Sequence, residues 1–241
     1  SALIRVVVAG SLGAEHLGLL EAGLHITSWL VNAAACWRRW SVHGGFIDLW
    51  AGRILTGLAC GVLVVGPLLD LNPVFDRQMV GNWPLVNALT PAYLLPGVLI
   101  AFIGYVLRNH ATMAWWRSIW PPASLGLVLV WLSMEIRRFF HAPDDLDSIF
   151  MSTPENYSYS AVWLLFALAL LAAGITARVA QLRYASLAVL VLVVLKVFLV
   201  DLSDLEGLLR VASFLGLGLC LVGIGFIYQR FVHQPQDQPV T

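Results

Sequence analysis

Two apolar runs, 185–200 and 208–227, stand on either side of a short acidic turn that holds Asp201, Asp204, Glu206 and Gly207. A lone Lys196 lies inside the first run. An ammonium placed within hydrocarbon costs about 2.5–3.5 kcal/mol on insertion scales, so it needs a polar partner or a wet cavity. This hairpin and its charges are what the remaining helices are expected to gather around.

Whether lipid surrounds it follows from composition. Of 241 residues, 59% are hydrophobic and 12% charged, with a mean hydropathy of +0.81. A soluble domain of this length cannot bury so much apolar surface, so acyl chains must solvate part of it. The fold class is therefore all-α: a polytopic transmembrane helical bundle. Basic and acidic residues balance at 14 each, and there is no basic run for nucleic acid to meet. Cys36, Cys60 and Cys220 stand singly within apolar stretches. They read as small buried hydrophobes rather than metal or redox groups.

A bilayer core about 30 Å thick requires about 20 helical residues. Seven spans meet that rule: 16–37, 46–69, 85–107, 121–140, 159–178, 184–201 and 206–230. Residues 16–232 read as one bundle, residues 1–15 as the tail of a preceding segment or a periplasmic lead-in, and 233–241 as a flexible cytoplasmic tail. In a seven-helix zigzag, Arg38, Arg39, Arg108, Arg117, Arg178, Arg183 and Arg230 fall on one side. The positive-inside rule assigns that side to the cytoplasm, with residue 1 outside and the C-terminus inside. Trp37, Trp40, Trp115, Trp116, Trp120, Tyr157, Tyr159 and Trp163 sit near span ends, as an interfacial belt would.

Small residues, Ala169 with Ala173, Gly216 with Gly223 and Gly218 with Gly225, are expected to let neighbouring helices approach closely. Pro91 and Pro96 should kink the third span, whereas Pro121 and Pro122 suit the start of the fourth.

On this topology the polar residues gather at the outer end. Glu135, Arg137, Arg138 and His141 close the fourth span, Tyr157 and Tyr159 open the fifth, Lys196 and Asp201 end the sixth, and Glu206 and Arg210 begin the seventh. These ten are the candidate ligand-binding residues. Glu206 and Arg210, four apart with the acid first, are placed to pair, as are Glu135 and Arg138 at three. Lys196 and Asp201 are five apart, about 140° around an α-helix. They are expected not to pair, and Glu135 is the expected partner of the lysine.

Three roles fit such a cluster. The arginines and Lys196 suit phosphate or carboxylate groups of an anionic or amphiphilic envelope ligand, such as an anionic lipid or glycan, that is bound or translocated. Alternatively, Glu135 or His141 serves as general base of an envelope-modifying enzyme, or the charges only orient helices in a structural subunit. The chain has no G-x-S-x-G, H-E-x-x-H, P-loop or S-x-x-K motif. Glu21 and His25 share a helix face at i, i+4, but two ligands do not make a metal site. Ser158 and Ser160 read as helix caps. No cofactor is called for.

Residues 157–164, 195–218 and 228–230 resemble the C-terminal part of the DUF2339 family of bacterial membrane proteins. Residues 71–73, 84–96 and 135–141 fit the same pattern, and the likeness covers about 70–230 closely and 1–69 more loosely. Where that family reads Glu-x-Arg-His-x-Phe, this chain has Glu135, Arg137, Arg138, Phe139, Phe140 and His141, with the histidine displaced. The resemblance implies a multi-pass protein of the bacterial inner membrane, partnered by lipid and by a further N-terminal portion or other membrane subunits. It implies no activity.

Overall fold

A computed structural model describes residues 18–81, 83–110, 114–141, 146–147, 151–201 and 208–232. Expectations for 1–15, for the tail and for a Glu206–Arg210 pair lie outside the described residues and side chains. Among the described residues the secondary structure is helical, with no strand. The chain divides into two compact units, Ser1–Met151 and Ser152–Thr241.

The first unit holds α1 (Leu19–His43), α2 (Phe46–Val65), α3 (Leu95–Leu107) and α4 (Ala114–Phe140). A π-helical turn, π1 (Gly66–Asp70), extends α2, and another, π2 (Thr90–Leu94), leads into α3. Helix α1 ends on Gly44, whose φ of 68° is left-handed and whose N–H returns to the Trp40 carbonyl. Glycine takes that conformation without the steric cost other residues meet. The chain then reverses into α2, which packs along α1.

Both π turns carry a proline, which removes a backbone donor and loosens the ladder. Carbonyls near the breaks are met by side chains from other helices. Thr27 Oγ1 donates to the Pro91 carbonyl at 3.1 Å, and the Tyr93 hydroxyl donates to that of Pro67. Pro91 thus stands in a π turn at the start of the third span.

Glycines set how closely these helices cross. A Cβ on Gly23 of α1 would lie 2.7 Å from the Ala92 backbone nitrogen, and one on Gly104 of α3 would lie 3.0 Å from Trp120. Gly97, one heptad before Gly104, similarly abuts the Ser124 carbonyl. Small residues there bring α3 down onto its neighbours, which is how membrane helices gain packing energy without a hydrophobic drive. The resulting core includes Ile26, Leu30, Leu89, Tyr93, Ile100 and Ile103, all essentially sealed.

Several expectations need correction here. Trp37 and Trp120 are buried in the core and do not face out as rings of an interfacial belt would. For Trp37 the reason is plain, because its indole N–H donates to Thr56 Oγ1 at 3.1 Å and so needs no water. Pro121 and Pro122 sit inside α4, which begins seven residues before Pro121.

The second unit holds α5 (Thr153–Thr176), α6 (Ala180–Lys196) with a terminal π turn, π3 (Val197–Asp201), and α7 (Leu208–Val232). Ser152, not Ser158 or Ser160, caps α5 by accepting from the Glu155 N–H. Helices α5 and α6 pack along each other, and at their turn Gly174 takes the Arg183 and Leu182 side chains. Of the α7 glycines named above, Gly216 meets Phe198, whereas Gly218, Gly223 and Gly225 have open space around them. Cys220 is exposed on the same helix.

Among the described residues, five helical stretches are long and apolar enough to cross a membrane: Phe46–Asp70, Thr90–Leu107, Ile119–Phe140, Thr153–Thr176 and Ala180–Asp201. Of the Ala180–Asp201 window, only 11% is buried among the described residues. With α1 and α7, the described residues form seven helices of a multi-pass membrane fold.

Candidate functional site

The second unit contains a closed polar network between α5 and the end of α6. The Lys196 ammonium bonds to Asp201 Oδ1 at 2.7 Å, Ser160 Oγ at 2.8 Å, the Asn156 carbonyl at 2.9 Å and Asn156 Oδ1 at 3.0 Å. Asn156 Nδ2 donates to Asp201 Oδ1 at 2.8 Å, and the Ser160 hydroxyl donates to Oδ2 at 2.6 Å. Three donors therefore converge on one carboxylate: an ammonium, an amide N–H and a hydroxyl. The Asp201 side chain is 3% exposed and that of Lys196 14%.

Local structure explains each position. Asn156 and Ser160 are four apart on α5, hence on one face. Lys196 and Asp201 were expected to point 140° apart, and the π turn overturns that expectation. In a π turn the hydrogen bond closes over five residues instead of four, so the fifth residue returns above the first.

Glu135, the expected partner of Lys196, is engaged within the first unit. Its Oε1 accepts from Asn87 Nδ2 at 2.5 Å, and its Oε2 takes Arg138 Nε at 3.0 Å and an Arg138 terminal nitrogen at 2.9 Å. Asn87 Oδ1 in turn accepts the Leu89 N–H, tying the entry of π2 to the end of α4. Buried Arg137 donates from Nε to the Leu146 carbonyl at 2.5 Å, and His141 Nδ1 lies 3.2 Å from the Arg137 carbonyl. Tyr159 is buried with its hydroxyl 3.3 Å from Glu155 Oε1, whereas Tyr157 is exposed. Glu21 and His25 approach to 3.6 Å.

The sequence reading missed Asn156 and took Ser160 for a cap. The signal available was their i, i+4 spacing on the apolar helix next to an intramembrane lysine. Chemically, the network can hold an anion. Asp201 fills that place now.

No curated protein and no solved structure matches the chain. A family model described as "Predicted membrane protein (DUF2339)" matches residues 2–231. This chain belongs to the DUF2339 family of membrane proteins.

Proposed function

We propose that the chain is an inner-membrane protein of the bacterial envelope that binds or translocates an anionic or amphiphilic ligand at the Lys196 centre. One observation carries this reading: Lys196, Asn156 and Ser160 converge as donors on a single carboxylate inside an apolar helix pair. Ionisable groups in membrane helices and π turns both concentrate at functional positions. A ligand phosphate or carboxylate would take the place of Asp201 against the same donors. The arginine-rich turns argue for a cytoplasmic face at the opposite end, so the centre lies at the periplasmic end of α5 and α6.

A second reading, in which the charges only orient helices, is favoured by the mutual satisfaction of every group in the network. The two separate in one experiment. Wild type and K196Q in nanodiscs are titrated with dihexanoyl phosphatidylglycerol, and bound lipid is counted by native mass spectrometry. Ligand binding at this centre predicts at least a tenfold loss in K196Q with the helical fold retained. Equal binding leaves the orienting role.

A further inference from the structure

Each π turn of the first unit holds a proline, Pro67 in π1 and Pro91 in π2. The third, π3, consists of Val197, Phe198, Leu199, Val200 and Asp201, with neither proline nor glycine. Every residue in it keeps a backbone N–H for an α ladder, so backbone chemistry does not impose the wider turn. Side chains hold it instead. The Asp201 carboxylate sits over Lys196 only in the π register, where the Lys196 ammonium, the Asn156 amide and the Ser160 hydroxyl all bind it.

We infer that π3 is a register switch at the Lys196 centre. With Asp201 on the donors the turn is π; when a ligand anion takes the donors, the turn closes as α and carries Asp201 away. The switch presupposes the anion site proposed above and supplies the step that such a site requires, because ligand and resident carboxylate share one set of donors. Both cannot occupy it.

Helix repeat sets the geometry of the second register. In an α-helix the residue that returns over Lys196 is Val200, four on, and Asp201 stands about 140° around the axis. Valine brings no acceptor, so the ammonium is without a carboxylate until an anion supplies one. Asp201 is the last residue of its membrane span. The turned-out carboxylate therefore stands at the edge of the hydrocarbon, not deep among acyl chains, where its charge would be costly. Phe198 carries the change further: a Cβ on Gly216 of α7 would lie 3.2 Å from its ring, so a shift in π3 moves a side chain that α7 packs against.

Val200 gives the means of testing. It is 51% exposed in the π register and turns in over Lys196 in the α register, so a cysteine there reports which register is present. V200C and V200C/D201A, as full chains in nanodiscs, are treated with a water-soluble maleimide, and label is read by mass on the peptide holding residue 200. Removing the carboxylate should slow labelling at least threefold. Loss of a neighbouring negative charge by itself favours the thiolate and would speed labelling, as would fraying of the turn. Labelling that is unchanged or faster in V200C/D201A overturns the inference.

A chain lacking Leu199 tests the ligand side. There the carboxylate falls four residues after Lys196, on one face in the α register itself, and no register turns it away. Its affinity for dihexanoyl phosphatidylglycerol, by native mass spectrometry and at wild-type helical content, should fall at least tenfold. Wild-type affinity in that chain would overturn the switch while leaving the anion site in place. If wild type itself binds none of this lipid and V200C/D201A still labels slowly, the anion site falls and the register switch stands without it.

Discussion

Lys196 Nζ lies 2.7 Å from Asp201 Oδ1 although five residues separate them, because the turn between them is π and not α. Five-residue closure stacks the two side chains on one face, where α5 supplies Asn156 and Ser160 to complete the network. The ammonium, expensive among acyl chains on its own, is thereby neutralised inside a single helix pair.

Removing the resident carboxylate should expose an anion site. D201A leaves the Lys196 ammonium, the Asn156 amide and the Ser160 hydroxyl facing a vacated position, so affinity for dihexanoyl phosphatidylglycerol should rise at least fivefold over wild type. Native mass spectrometry of nanodisc samples checks this, and an unchanged or weaker affinity counts against an anion-binding centre.

At the crossing of α1 with π2, G23A places a methyl 2.7–2.9 Å from the backbone of Pro91 and Ala92. Backbone cannot step aside as a flexible side chain would, so a loss of about 1–3 kcal/mol is expected, typical of overpacking. Gly218→Ala, with open space around it, should cost little. Thermal unfolding of the two variants side by side checks the contrast.

Thr56 accepts from the Trp37 indole and donates to the Gly52 carbonyl at 2.6 Å, wholly buried. T56V keeps the shape but strands the indole N–H, so about 1–3 kcal/mol of stability should be lost. T56S should retain most of it. The measurement is denaturant or thermal unfolding in the same detergent.

Replacing Glu135 with Leu removes the carboxylate that Asn87 Nδ2 and Arg138 share at the end of α4. The expected cost is about 2–4 kcal/mol, larger than for E135Q, which keeps the oxygen that Asn87 reaches. Hydrogen exchange at residues 87–94 should rise more in E135L than in E135Q if Asn87 anchors the entry to π2.

Much of the architecture was legible because hydrocarbon thickness imposes a length that apolar runs either meet or fail, and spans such as 46–69 and 184–201 meet it closely. The π turns were not legible, since an α-helical wheel assumes 3.6 residues per turn throughout. That single assumption turned Asp201 away from Lys196 and sent the search for a partner to Glu135. Trp37 was misplaced for a similar reason: ring chemistry suggests an interface, whereas one hydroxyl on α2, invisible in sequence, makes burial affordable. The polar ends of α4, α5 and α6 were legible from where charge interrupts the apolar runs, but which groups meet there was not, because that depends on the π turn and on contacts made within each of the two units.

A double-mutant cycle on Lys196 and Asp201 tests the central claim most directly. K196M leaves a carboxylate that is 3% exposed without its cation, for an expected cost of about 3 kcal/mol. Adding D201N should recover much of that loss, giving a coupling of at least about 2 kcal/mol. Unfolding in detergent supplies the numbers. Additive effects, with coupling below about 0.5 kcal/mol, would contradict a buried ion pair as the centre of this helix hairpin.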